Sequence, residues 1–210
     1  MKRAVTVVDY GMGNILSVMR AFEKCGAEVT LESSPLFVGK AERLVVPGVG
    51  AFADGMGELQ TRGLVEPIRN YAASGRPLLG ICLGMQMLLE GSDEFGSSAG
   101  LGLVPGWVRK LPEQAGIKLP HIGWSPIVPP EGRGWSGTLL DGVPSGQEVY
   151  FVHSFGAAPR EPADCLAQTS YGEASFCSAV HRENVSGFQF HPEKSGEAGL
   201  AIIRSFLDAG

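Results

Sequence analysis

No stretch of this chain approaches the roughly 18 consecutive apolar residues that a membrane-spanning helix needs. At the N-terminus, Met1-Lys2-Arg3 is followed only by the short run Ala4 to Val8 before Asp9, too little apolar length for a signal peptide. The reading is therefore a cytoplasmic protein with no membrane partner. Excess basic charge is also missing: 17 Lys and Arg stand against 22 Asp and Glu, a formal net charge of -5, with the basic residues scattered. That argues against a nucleic-acid surface and for small-molecule chemistry. The 4 cysteines, Cys25, Cys82, Cys165 and Cys177, contain no C-x-x-C pair, so reduced thiols are expected. The 4 histidines lack metal-ligand spacing, so no metal site is expected. There is no internal repeat, low-complexity tract or Pro/Ser-rich linker, and 210 residues suffice for one substantial core. The whole chain, 1–210, reads as one domain.

What is present is a cysteine between two glycines. Leu78, Leu79 and Ile81, bounded by Pro77 and Gly84, fit a strand buried on both faces, and Met85 to Glu90 reads as the start of a helix. Gly80-Ile81-Cys82-Leu83-Gly84 is then a nucleophile elbow with sulfur in place of oxygen. Such a turn strains its central residue, and a Cβ two positions to either side would collide with neighbouring strand or helix. It also aims the Leu83 and Gly84 N–H groups into the space beside the sulfur, at the positive end of the following helix, which favours thiolate and later an oxyanion. Without those glycines, Cys82 would read as a small buried hydrophobe.

Around the elbow the chain alternates strand and helix. Ala4 to Val8 is a strand, Asp9 to Asn14 a turn, and Ile15, Val18, Met19 and Phe22 recur at helical spacing until Gly26. Glu28 to Glu32 and Arg43 to Val46 are further strands, and Leu64 to Ser74 a helix. The fold class expected is α/β: a mostly parallel sheet with helices on its faces and functional loops at the carboxyl ends of the strands. After Gly91, β-rich runs at 106–111, 121–128, 148–153, 165–170 and 176–181 read as antiparallel or mixed strands added to one edge. Ser195 to Asp208 is a closing amphipathic helix. Gly11 and Gly13 follow a strand, but the third glycine of a dinucleotide fingerprint is missing, with Ser17 and Val18 where it could stand. Trp124, flanked by glycine, reads as a surface residue.

Gly187 to Glu193 alternates like a half-buried strand and presents His191 and Glu193 two residues apart, on the same side of an extended backbone. Pro192 pushes His191 away from helical geometry. Glu193 then reaches one imidazole nitrogen and leaves the other for a thiol, the logic of nucleophile, base and orienter. The alternatives are a strand-end histidine partly exposed to solvent, or metal binding by His191 and Glu193 with a distant ligand. His153 is a competing base, without a carboxylate near it in sequence.

Pro47-Gly48-Val49-Gly50, Gly80 to Gln86 and Gly187 to Glu193 resemble the three blocks of the triad (class I) glutamine amidotransferases. Asp9 to Asn14, Pro120 to Trp124 and Tyr150 to Ser154 are most similar to the glutaminase subunits of imidazole glycerol phosphate synthase, and the likeness runs essentially end to end. The resemblance implies a flavodoxin-like domain that needs no cofactor and hydrolyses glutamine. Its heterodimer partner would be a (β/α)8-barrel cyclase that uses the ammonia to make imidazole glycerol phosphate and the aminoimidazole carboxamide ribotide by-product in histidine biosynthesis. It implies Cys82, His191 and Glu193 as the triad, and Leu83 and Val49 as oxyanion-hole donors. Gln86, four residues after Cys82 and so on the same helical face, joins Gly50, Ser154 and Phe155 in the substrate pocket. Met12, Asn14, Trp124, Tyr150 and Lys194 fall where the family meets its cyclase. Ser125 departs from the usual Asn and puts interface contacts there in doubt. Gly48 and Gly50 flank Val49, so its peptide rotates at little steric cost; the resting oxyanion hole is expected to be incomplete until the docked cyclase, with its ligand, sets it. A glutaminase serving another synthase, a non-catalytic partner protein and, more distantly, a metal-dependent hydrolase remain as rival readings.

Overall fold

The computed structural model describes residues 3–209; Met1 and Lys2 of the N-terminal stretch read above, and Gly210, lie outside them. Four strands, β1 (Ala4–Val8), β2 (Glu28–Glu32), β3 (Leu44–Val46) and β4 (Leu78–Ile81), run parallel. Every residue of β3 and β4 is buried, as in strands covered on both faces. Successive β3 residues face opposite ways. Val45 joins one core with Val18 and Phe22 of α1 (Ile15–Lys24). Leu44 and Val46 join a second with Val38 of α2 (Pro35–Val38), Phe52 and Leu59 of α3 (Phe52–Thr61) and Ile68 of α4 (Val65–Ala73). Each such buried side chain contributes ~1.5–3 kcal/mol, so the helices are pinned to both faces of the sheet.

The helix after the elbow is α5 (Leu83–Met87), shorter than the Met85 to Glu90 start expected. It stops because Leu89–Ser92 forms β5, which pairs with β6 (Ser98–Ala99) and β7 (Val104–Lys110); strand pairing overrides helical propensity here. Helix α3 escapes sequence reading because Gly55 and Gly57 weaken its helical signal. Gly55 lies where α3 crosses α5, and a Cβ there would come within 2.9 Å of the Met87 sulfur and 3.0 Å of Leu83.

The chain continues through β8 (His121–Ile127), β9 (Gln147–His153), β10 (Phe155–Pro159), β11 (Cys165–Tyr171), β12 (Ala174–Arg182), β13 (Val185–Phe188) and α6 (Gly196–Asp208). Among the described residues the main sheet has the order β2-β1-β3-β4-β13-β12-β10-β7-β5-β6, with β11 also on β12. It is parallel from β2 to β13 and antiparallel from β13 to β7. Strands β8 and β9 differ from the expected edge addition: they pair with each other as a separate ribbon, tied to the sheet by a bridge from Val128 to Gln168. The loop 129–137, without a role in the sequence, is a clasp. Arg133 Nη1 donates to the carbonyls of Pro162 and Cys165 at 2.8 and 2.9 Å, and Trp135 Nε1 to that of Leu166 at 2.8 Å. No helix among the described residues is long and apolar enough to cross a membrane.

This topology gathers chemistry at one end. The carboxyl ends of β1, β3, β4 and β13 point the same way, so the loops at Asp9 to Asn14, Pro47 to Gly50, Cys82 and Gln189 to Glu193 converge, as ligand sites in open α/β sheets do.

Candidate active site

Cys82 sits between β4 and α5 with φ 55 and ψ -111, a backbone conformation that costs ~1–3 kcal/mol and persists only where its surroundings enforce it. They do so by close packing. A Cβ on Gly80 would lie 2.7 Å from the Gly84 carbonyl and the Met85 nitrogen, and one on Gly84 would be driven into the Val46 carbonyl oxygen. The Cys82 N–H donates to Phe188 at 2.7 Å, locking the turn to β13. Gly84→Ala should therefore destabilise the fold by about 2–3 kcal/mol, at the upper end of overpacking effects; an unchanged urea midpoint would show that the elbow tolerates a side chain.

His191 is extended at φ -98 and ψ 97, as a residue before proline should be. Glu193 differs from the expected extended placement: it lies in a 3-10 turn, Pro192–Lys194, and the pair meets because that turn folds the carboxylate back. Nδ1 of His191 bonds Glu193 Oε1 at 2.8 Å, and both side chains are almost fully buried, 2% and 1% exposed. A carboxylate accepts, so Nδ1 carries the proton. Nε2 is buried without a hydrogen-bond partner of normal geometry, yet it stands close enough to Cys82 to be influenced by it. Burial alone would lower the imidazole pKa; Cys82 and Glu193, as hydrogen-bonding groups and as charges, outweigh burial and lift it to about 9.

The sulfur opens into a cavity of about 170 Å³ lined by Val49, Gly50, Cys82, Leu83, Gln86, Glu94, Val152, His153, Ser154 and Phe155. That is below the ~300–1,000 Å³ of drug-sized and cofactor pockets and suits a small polar molecule. A wider groove of about 570 Å³ beside Gln60, Glu66 and Arg69 holds no cysteine, serine or histidine, so it lacks a nucleophile–base pair. Its Arg69 is already spent on Glu66 and the Gly100 and Leu101 carbonyls.

A thiol on a strained elbow, an imidazole raised by its neighbours and a buried carboxylate behind it make an acyl-transfer constellation. Residues 6–209 match the family model described as glutamine amidotransferase class-I. The chain belongs to the class-I glutamine amidotransferases.

Within that family it is of the HisH type. It is 50% identical over 210 residues to "Imidazole glycerol phosphate synthase subunit HisH 1" of Legionella pneumophila (strain Lens), covering 97% of this chain and 98% of that one. It is 46% identical over 204 residues to the HisH subunit of Moorella thermoacetica, covering 97% and 94%. The fold of this amidotransferase is shared with two solved structures. One, described as a glutamine amidotransferase, has a TM-score of 0.74 at 18% identity, covering 97% of both chains. The other, PurLQS from Thermotoga maritima, has a TM-score of 0.73 at 20% identity, covering 99% of both.

The amidotransferase's remaining predicted site residues fall in three places. Gly50, Gln86, Ser154 and Phe155 line the cavity with Cys82. Gln86 donates its amide N–H groups to the Phe155 carbonyl and to Gln189 Oε1, both at 2.9 Å. Leu83 and Val49 flank the sulfur, but the Leu83 N–H is occupied, donating to the Gly48 carbonyl at 3.3 Å. That peptide is planar and trans, so with its carbonyl aimed at Leu83 the Val49 N–H points the opposite way. Met12, Asn14, Trp124, Tyr150 and Lys194 lie outside the cavity: Trp124 is 52% exposed, opposite Tyr150 across β8 and β9, with rings 6.1 Å apart. Lys194 Nζ sits 5.6 Å over the Tyr150 ring.

Three residues that the sequence did not single out enter the site. Glu94 lines the cavity, with one carboxylate oxygen accepting from the Phe52 N–H at 2.7 Å. Gln189, fully buried, donates to the Cys82 sulfur at 3.8 Å. Tyr10 donates to the Pro47 carbonyl at 2.6 Å, anchoring the loop that carries Val49. Of these, Tyr10 and Gln189 lie inside motifs, Asp9 to Asn14 and Gly187 to Glu193, where they could have been suspected.

Proposed function

We propose that this amidotransferase hydrolyses glutamine to glutamate and ammonia through a Cys82 thioester. We infer further that it hands the ammonia to a (β/α)8-barrel cyclase, in a cytoplasmic heterodimer that makes imidazole glycerol phosphate in histidine biosynthesis. The observation that carries the chemistry is the buried His191–Glu193 bond beside Cys82. Because His191 keeps its proton past neutrality, the thiol proton resides on Nε2 and sulfur attacks the side-chain carboxamide carbon as thiolate. The same proton then goes to the departing nitrogen, leaving a glutamyl thioester and ammonia. His191 next takes a proton from water, whose oxygen attacks the thioester carbonyl; collapse expels the thiolate, frees glutamate and leaves the proton on His191. Gln86 offers its carbonyl oxygen, and Glu94 its second carboxylate oxygen, to the substrate ammonium group.

Support for the partner comes from the HisH-type relatives and from the outward face built by Met12, Asn14, Trp124, Tyr150 and Lys194, to which the exposed Leu16 and Ile122 add apolar area. Reconstitution with the cyclase and glutamine labelled with ¹⁵N on its amide tests the delivery. The label is expected in the cyclised product; label found only in free ammonium, or only in another synthase's product, would overturn the assignment.

Glu193→Gln gives a second test. An imidazole held near 9 keeps its proton well past neutrality, and removing the carboxylate removes one of the two groups that hold it there. The alkaline limb of the pH–rate profile is expected to move toward neutral pH. The rate itself should fall on the order of 10-fold to 100-fold, part of the ~10²–10⁴ that positioned acid–base groups supply. An unshifted limb would remove Glu193 from the triad.

A further inference from the structure

Behind the cavity a chain of hydrogen bonds runs from the ribbon to the sulfur, and every donor in it is determined. The Phe155 carbonyl can only accept, so His153, 2.8 Å away through Nδ1, carries its proton there. His153 is 6% exposed and His121 1% exposed; burial lowers their pKa values to about 3 and about 4, so both rings are neutral. A neutral His153 with its proton on Nδ1 must accept at Nε2. His121 Nδ1, 3.1 Å away, is therefore the donor. His121 Nε2 then accepts in turn, from the Ser125 hydroxyl at 2.9 Å. Alternation along β8 puts His121 and Ser125 on one face and the exposed Ile122 and Trp124 on the other.

At its far end the same Phe155 carbonyl also accepts from Gln86, whose second amide hydrogen goes to Gln189, which donates to Cys82. The path is Ser125, His121, His153, Phe155, Gln86, Gln189, Cys82. The ribbon end is packed between rings: His121 stacks 4.9 Å from Phe151 and lies 4.0 Å from Tyr171. No other base is required of His153, because its two nitrogens are spent.

We propose that His153, locked in one tautomer between the Phe155 carbonyl and the His121 N–H, is a positioning residue for glutamine: it fixes the Phe155 carbonyl that holds Gln86 in the pocket. The inference rests on the glutaminase reading above. Its effect falls on substrate binding rather than on the thioester chemistry, because Gln86 faces the substrate's amino-acid end and His153 does not bond the sulfur. The Ser125 hydroxyl keeps a donor on the ribbon, so this departure from the usual Asn leaves the chain closed.

Two measurements test it, both on the complex with its cyclase. Long-range ¹H–¹⁵N spectra of the histidine rings at pH 7 should show His121 and His153 neutral with the proton on Nδ1, the minor form of free imidazole. A proton on Nε2 of either ring, or an imidazolium, would overturn the proposal whatever the activity. In Ser125→Ala, His121 should keep its proton on Nδ1, held there by His153, while its Nε2 resonance shifts with loss of the hydroxyl donor; an unchanged Nε2 resonance would remove Ser125 from the chain. For the kinetics, His153→Leu should raise the glutamine KM about tenfold, the loss of one good hydrogen bond, with kcat within about threefold. His153→Asn, whose amide nitrogen takes the place of Nδ1, should bring KM back to within about threefold of the parent. Equal KM in the Leu variant and the parent, or a Leu and an Asn variant equally impaired, would sink this role while leaving the glutaminase reading intact. A parent complex that releases no ammonia from glutamine would instead sink that reading.

Discussion

Replacing Cys82 with alanine is expected to abolish ammonia release from glutamine in the reconstituted complex, by a factor on the order of 10⁴ or more. Residues of a covalent triad act as a unit, so removing the nucleophile forfeits the thioester route rather than one contact. Alanine keeps the Cβ that the elbow already accommodates, so the fold should survive and the variant should still bind its partner. Free ammonium supplied at alkaline pH should then restore cyclase turnover, because the lesion lies before ammonia is delivered. Undiminished ammonia release would contradict the role given to Cys82 and would favour a non-catalytic partner protein.

The second large effect concerns the oxyanion hole. With the Gly48 carbonyl bonded to the Leu83 N–H, the oxygen of a tetrahedral intermediate would meet a carbonyl where it needs donors. Rotating the Gly48–Val49 peptide frees Leu83 and turns the Val49 N–H inward at once, since both ends of one planar unit move together. A single such donor is worth ~10²–10³ in kcat. Glutaminase turnover should therefore rise by about that factor when cyclase and its nucleotide ligand are added to the isolated chain. Equal rates with and without them would show that the hole is either already competent or never remade. Tyr10, bonded to Pro47 and so close to Gly48 that a Cβ there would overlap its hydroxyl, limits the motion to the residues beyond.

The parts of this architecture legible in the sequence are those that constrain the backbone through special residues. Gly80 and Gly84 mark the elbow because nothing larger fits against Val46 and Met85. Pro192 marks the turn after His191 because it dictates the geometry of the residue before it. Strands β3 and β4 are legible as unbroken apolar runs, and β1 nearly so. Helix α3 is not, because the two glycines that allow its close crossing of α5 are the same residues that erase its helical pattern. The end of α5 is invisible for a related reason: Leu89–Ser92 has no strand pattern of its own and becomes one only by pairing with β7. Pairing partners of β8 and β9 are long-range facts, as is the approach of Glu94, a single loop carboxylate, to the cavity. The His121–His153 pair illustrates the limit best. Each residue is visible as a histidine in a β-rich run, but their contact depends on the cross-strand register of the ribbon.

The most direct test of the central claim is to react the complex with an electrophilic glutamine analogue and map the modified peptide. All four cysteines are free, Cys25 half-buried and the other three buried, so exposure alone would direct the reagent to Cys25. The triad predicts a single adduct on Cys82, blocked by glutamine and absent in Cys82→Ala. An adduct on Cys25, Cys165 or Cys177, or labelling that glutamine does not slow, would contradict it.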